Sequence, residues 1–147
     1  MFVRAYLRAS TIDQDASRAR ASLESFAEEH GVTIANFYEE NESGTKLERP
    51  ELFRLLNDCR PGDILLTEQV DRLSRLTDTD WKKLRGLINE KGVTVVALDL
   101  PTSHQLLTPS KADAFTGRVL AAINDMLLDM LAAVARKDYE DRKRRTA

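Results

Sequence analysis

Four arginines and one serine occupy the most chemically suggestive positions in the 147-residue sequence. They fall in three stretches: Tyr6-Leu-Arg8-Ala-Ser10-Thr11, then Ser43-Gly44 with Arg49-Pro50, then Asp71-Arg72-Leu73-Ser74-Arg75. Burying an unpaired charge is costly, so four guanidiniums have little use in an apolar core. They suit a phosphodiester, because each offers forked donors to phosphate oxygens and keeps its charge at any working pH. Ser10 is a weak nucleophile unless activated, and the familiar activator is a nearby histidine. The two histidines are poorly placed to activate it, since His30 falls at the expected end of a helix and His104 in an expected loop. Clustered arginine charge is the remaining device. It would stabilise an alkoxide-like Ser10 and a pentacoordinate phosphorane, which favours phosphoryl transfer over peptide or ester hydrolysis.

For Arg8, Arg49, Arg72 and Arg75 to meet around Ser10, the three stretches must lie at neighbouring strand ends. Phe2 to Ala9 reads as a strand with β-favouring Val3 and Tyr6. From about Gln14 to His30, Ala16, Ala19, Leu23, Phe26 and Ala27 recur at helical spacing, with Gly31 as the stop. Val32 to Tyr38 is a second strand and runs into the polar stretch from Glu39 to Lys46, expected to be a solvated loop. Pro50 opens a helix that Pro61-Gly62 closes. Ile64 to Leu66 is a short buried strand, Asp80 to Lys91 a helix, and Val93 to Asp99 a last, nearly continuous apolar strand. This alternation predicts an α/β fold: a mostly parallel sheet of about four to five strands flanked by helices, with functional loops gathered at the C-terminal strand ends.

After an expected loop from Pro101 to Pro109 the pattern changes. Val119, Leu120, Ile123, Met126, Leu127, Met130, Leu131 and Val134 recur at helical intervals, which predicts one final helix of roughly 25 to 30 residues, well beyond the average of about 11 to 12. Its wide apolar stripe, rich in adaptable methionine, favours self-association through a partner helix over simple packing on the sheet. The predicted division is residues 1–117 as the α/β domain and 118–147 as a long dimerisation helix.

Composition narrows the alternatives. The length fits one domain, and 42% apolar residues suffice for an ordinary core. With Cys59 the only cysteine, no internal disulfide or cysteine-based zinc site can form, which points to a reducing cytoplasm. Arg4 and Arg8 interrupt the first apolar run, so it does not read as a signal peptide. Asp125 and Asp129 interrupt the most apolar window, so no membrane span is expected. A net charge of -2 would ordinarily argue against nucleic acid. The average conceals an asymmetry: residues 136–147 carry six basic and three acidic side chains, a local +3 that leaves -5 for the remainder.

In order and spacing, Tyr6-x-Arg8-x-Ser10-Thr11, Ser43-Gly44 with Arg49-Pro50, Asp71-Arg72-Leu73-x-Arg75 and a long last helix together resemble the catalytic domain of serine recombinases of the resolvase/invertase family. The resemblance spans nearly the whole chain. It implies site-specific DNA recombination with Ser10 as the nucleophile that forms a 5'-phosphoserine link, and Arg8, Arg72 and Arg75 around the scissile phosphate. Arg49 would join them on assembly, with Ser43 supporting the loop. Asp71 would orient an arginine or take part in proton transfer. Tyr6 reads first as a core strand residue and otherwise as a supporting one. Many members carry a glutamine where this chain has Ala19, and Gln14 is the nearer amide that could substitute. The implied partners are double-stranded DNA, a second subunit in a homodimer and a tetramer during synapsis, in a bacterial cytoplasm, with no cofactor or metal. Members usually continue into a DNA-binding module, so the basic ending reads as a cut, with Arg142, Lys143, Arg144 and Arg145 placed to neutralise DNA phosphates. The rival from another class is a non-catalytic dimeric α/β interaction domain. A nucleotide-binding enzyme is disfavoured because neither GxGxxG nor GxxxxGK[ST] occurs.

Overall fold

The computed structural model describes residues 2–8, 13–40, 49–70, 73, 76–107 and 114–146. Four strands form one parallel sheet: β1 (Val3–Arg8), β2 (Ile34–Glu40), β3 (Ile64–Thr67) and β4 (Thr94–Ala97), in the spatial order β2-β1-β3-β4. Between them run α1 (Asp13–Glu29), α2 (Pro50–Asp58) and α3 (Asp78–Lys91). Residues 101–106, expected as part of a loop, form a 3-10 helix begun by Pro101, whose fixed φ suits a first helical turn. The chain ends in α4 (Ala114–Thr146), at 33 residues longer than its apolar pattern indicated. The strand expected from Val93 to Asp99 is trimmed to Thr94–Ala97, because the Val93 amide is taken by the Ile88 carbonyl at the end of α3 and the chain turns at Leu98 and Asp99.

Both faces of the sheet are covered, and strand alternation decides what covers each. Val3, Ala5 and Leu7 of β1 point to one face with Ile64, Leu66 and Val96, and there pack against Ala16, Ala19, Leu23 and Phe26 of α1. Tyr6, Tyr38, Leu65, Val95 and Ala97 point to the other, against Leu52, Leu55 and Leu56 of α2, Trp81, Leu84 and Ile88 of α3, and Leu128 and Ala132 of α4. Ala19 is therefore a core contact of α1.

Local signals set the helix ends. The Thr77 hydroxyl accepts from the Asp80 amide at 3.2 Å, and Asp78 and Asp80 place negative charge in the first turn of α3. Gly92 ends that helix at φ 69°, and its position is doubly constrained, since a Cβ there would also lie 3.2 Å from Pro61. The outer edge of β4 is occupied by side chains: Asn124 Nδ2 donates to the Val95 carbonyl, the Ala97 amide donates to Ser103 Oγ, and His104 Nε2 donates to the Ala97 carbonyl.

Helix α4 meets the body along a line different from the expected stripe. Asn124, Leu128 and Ala132 are buried and Leu127 is partly so, while Val119, Ile123, Met126, Met130, Leu131 and Val134 remain exposed. Polar contacts add to this line. Trp81 Nε1 donates to Asp129 Oδ1 at 2.9 Å, and Arg85 pairs with Asp125 at 2.9 Å. Among the described residues no helix is long and apolar enough to cross a membrane.

Candidate functional site

The site grows from the C-terminal ends of β1, β2 and β3. Register pairs Tyr6 with Tyr38 and with Thr67, and Arg8 with Glu40, so these side chains share the sheet face that α2 covers. Arg8 is 8% exposed, and its Nη1 is buried with no hydrogen-bond partner among the described residues. Thr67 Oγ1 is likewise buried without one, and the buried Tyr6 hydroxyl has the Arg49 guanidinium beside it. Native interiors satisfy almost all buried polar atoms, so two buried atoms at one strand-end cluster with no partner among the described residues single this cluster out.

Arg49 is the most deeply buried charge in this cluster, at 0% exposure. It stands directly before α2, where its backbone carbonyl accepts from Phe53 and its Nη1 donates to the Leu73 carbonyl at 3.0 Å. Burial lowers its pKa, the Tyr6 oxygen opposes that shift and the charge of Arg8 adds to it. An arginine so placed keeps its proton near neutrality because its ordinary value is far above 7. Arg49 thus lies inside the folded domain beside Tyr6.

Tyr6 is shaped by the same forces in the opposite sense. Burial pushes its hydroxyl up to about 12, and the positive charges of Arg49 and Arg8 hold the rise in check. At neutral pH it is a neutral donor, unfit to act as a base.

Glu40 is the residue that sequence reasoning missed. The run from Glu39 to Glu42 was expected on a solvated loop face, yet β2 extends through Glu40, whose side chain is buried. Its Oε2 accepts from the amides of Glu51 and Leu52 at 3.0 and 3.2 Å, so a strand carboxylate caps the start of α2. That contact ties α2, and Arg49 just before it, to the strand that pairs with Arg8, and it sets one negative charge between two positive ones. The available signal was alternation: Tyr38 and Glu40 are two apart and point the same way. Glu39 does behave as a surface residue, 3.8 Å from Arg20.

The remaining sequence-derived positions divide into two groups. Ser10, Ser43, Asp71, Arg72 and Arg75 lie outside the described residues. Gln14 falls in the first turn of α1 and Arg142, Lys143, Arg144 and Arg145 in the last turns of α4, with their side chains outside the description. Asp99 and His30, outside these groups, have plain structural partners. Asp99 Oδ1 accepts from the Val70 amide, and His30 Nδ1 donates to the Phe26 carbonyl while its ring packs on Phe26.

An all-parallel, three-layer domain with paired guanidiniums at its strand ends and a long trailing helix is a recognisable combination. The sequence profile described as "Resolvase, N terminal domain" matches residues 3–147, and the chain belongs to that family. A resolvase of Escherichia coli is 36% identical over 142 residues, which cover 97% of this chain and 64% of that protein. This chain therefore spans somewhat less than two thirds of that relative. In fold it resembles the N-terminal catalytic domain of TP901-1 integrase, with a TM-score of 0.55 at 24% identity over 88% of this chain and 98% of that one. It also resembles a resolvase family site-specific recombinase from Streptococcus pneumoniae, with a TM-score of 0.52 at 18% identity over 98% and 99% of the two chains.

Proposed function

We propose that this chain is the catalytic part of a serine-type site-specific DNA recombinase. The observation that carries the reading is the pairing of Arg8 and Arg49 at one strand-end cluster two residues from Ser10, with a buried Arg8 donor left over for a ligand. Two guanidiniums and a neutral tyrosine hydroxyl offer donors to a dianionic phosphorane. Ser10 Oγ attacks the phosphorus of a DNA phosphodiester as its proton departs. The P–O3' bond breaks, the 3'-oxygen takes up a proton, and a 5'-phosphoserine ester remains. Attack by the 3'-hydroxyl of a second end reverses these steps and releases Ser10, so bond energy is conserved and the chemistry calls for no metal or nucleotide.

In this reading Arg8, Arg49, Arg72 and Arg75 neutralise the phosphoryl oxygens, Asp71 orients an arginine or relays a proton, and Tyr6, Gln14 and Ser43 support them. Residues 1–117 form the catalytic unit and 118–147 the helix that joins subunits into a dimer and, in synapsis, a tetramer. Arg142 to Arg145 would approach the backbone of double-stranded DNA in the bacterial cytoplasm. The exposed apolar stripe of α4 supports the association and the local +3 charge supports the approach. The test is covalent trapping. A nicked duplex carrying a site that the full-length protein selects from a random DNA pool should yield a protein–DNA adduct, and Ser10→Ala should abolish it without loss of folding. An undiminished adduct in Ser10→Ala would overturn the assignment.

A further inference from the structure

Arg18 and Glu68 are 50 positions apart in sequence and meet as a two-pronged ion pair, with Nη1 donating to Oε2 and Nη2 to Oε1, both at 3.2 Å. Arg18 stands on the second turn of α1, the helix that begins three residues after Ser10. Glu68 is the first residue beyond β3, and the chain reaches Asp71 three residues later. The pair therefore spans from the helix that follows the serine to the strand exit that leads to Arg72 and Arg75.

Its exposure shows what it is suited for. The Glu68 side chain is 13% exposed and that of Arg18 59%, so the fork is anchored at the sheet and open to solvent on the helix side. An ion pair this open to water contributes little to global stability. Forked guanidinium–carboxylate geometry does fix both a distance and a plane, which a single contact does not. The neighbouring Ala19 faces the core with Leu23 and Phe26, so this turn of α1 rests on the sheet through a small side chain beside the fork.

We propose that Arg18 and Glu68 are positioning residues for cleavage: their fork sets the spacing between the helix after the nucleophile and the strand exit before the phosphate-binding arginines. The proposal rests on the reading of Ser10 as nucleophile. It needs little energy to matter, because a misplacement of about 1 Å can cost a reaction on the order of a hundredfold.

Charge exchange tests it in the full-length protein. Arg18→Glu and Glu68→Arg should each slow adduct formation on the nicked duplex by about tenfold or more, and Arg18→Glu/Glu68→Arg together should recover most of that loss. DNA affinity should stay within about twofold and the melting temperature nearly constant across the set, since the pair is a weak stabiliser. Hydrogen exchange over residues 13–20 and 68–76 should rise in each single variant and return to the original pattern in the double. Single variants that cleave at the original rate, or a double variant no better than the singles, would overturn the proposal. Should the original protein form no adduct, or Ser10→Ala form one, the nucleophile reading fails instead. The exchange data then decide alone: unchanged protection in the single variants would reject the fork as a spacer.

Discussion

The strand-end cluster and the last helix depart from the usual partition of side chains in opposite directions. At the ends of β1 and β2 and ahead of α2, charged Arg8, Glu40 and Arg49 are buried. Along α4, the apolar side chains of Val119, Ile123, Met126, Met130, Leu131 and Val134 are exposed. A chain that only had to fold would do neither, since the first costs desolvation and the second forgoes burial. The two anomalies differ in what would relieve them. An anion meets the unpartnered Arg8 donor, and only another apolar surface covers the stripe.

That contrast can be broken most sharply at Arg8. Arg8→Ala removes a buried charge with an unpaired donor, so folding stability should change by no more than ~1 kcal/mol in denaturant titration. Adduct formation should nonetheless fall by about 10²- to 10³-fold, the usual cost of deleting one transition-state donor. A large stability loss with cleavage intact would make Arg8 a structural ion. The helix offers the complementary test. Met126→Glu with Met130→Glu should leave the melting temperature of the catalytic body within a few degrees, as both side chains are already in water, yet lower any self-association seen by sedimentation by about tenfold or more. Unchanged association would remove α4 as the interface. The smallest effect belongs to Tyr6. Its hydroxyl is pushed up to about 12 by burial, so the native state holds that proton after the unfolded state has lost its own near pH 10. Stability should therefore fall as pH rises from 10 to 12, by up to ~1.4 kcal/mol per pH unit from this group. Tyr6→Phe should flatten that slope and lower stability at pH 7 by no more than ~1 kcal/mol, the net worth of the hydroxyl's hydrogen bond with Arg49.

The sequence displayed the alternation of strands and helices well because each element carries its own punctuation: Pro50 at the start of α2, Gly92 at the end of α3, and apolar runs of strand length at residues 64 and 94. What it concealed were features that depend on distant partners. Glu40 sits in an acidic stretch that looks solvated, and only its register beside Arg8 and its bonds to the α2 amides make it a buried cap. Arg49 was legible as a site candidate but not as a core residue, because its burial depends on Tyr6 and on the Leu73 carbonyl 24 positions on. On α4 the periodicity was real, but packing selected Asn124, Leu128 and Ala132, a narrow line with a single large apolar side chain, along which the helix meets Trp81 and Arg85. The stripe rich in large apolar residues was the visible one and is the one left outside.

The side chains along β4 carry a further consequence. An unprotected outermost strand is a template on which a foreign strand can extend a sheet, the route to edge-to-edge aggregation. Here Asn124, Ser103 and His104 already occupy the Val95 carbonyl and the Ala97 amide and carbonyl, so the template is blocked on that side. Because Asn124 belongs to α4, a displacement of that helix would withdraw one of these plugs. Any rearrangement of the last helix would then also change how open the sheet edge is to a foreign strand.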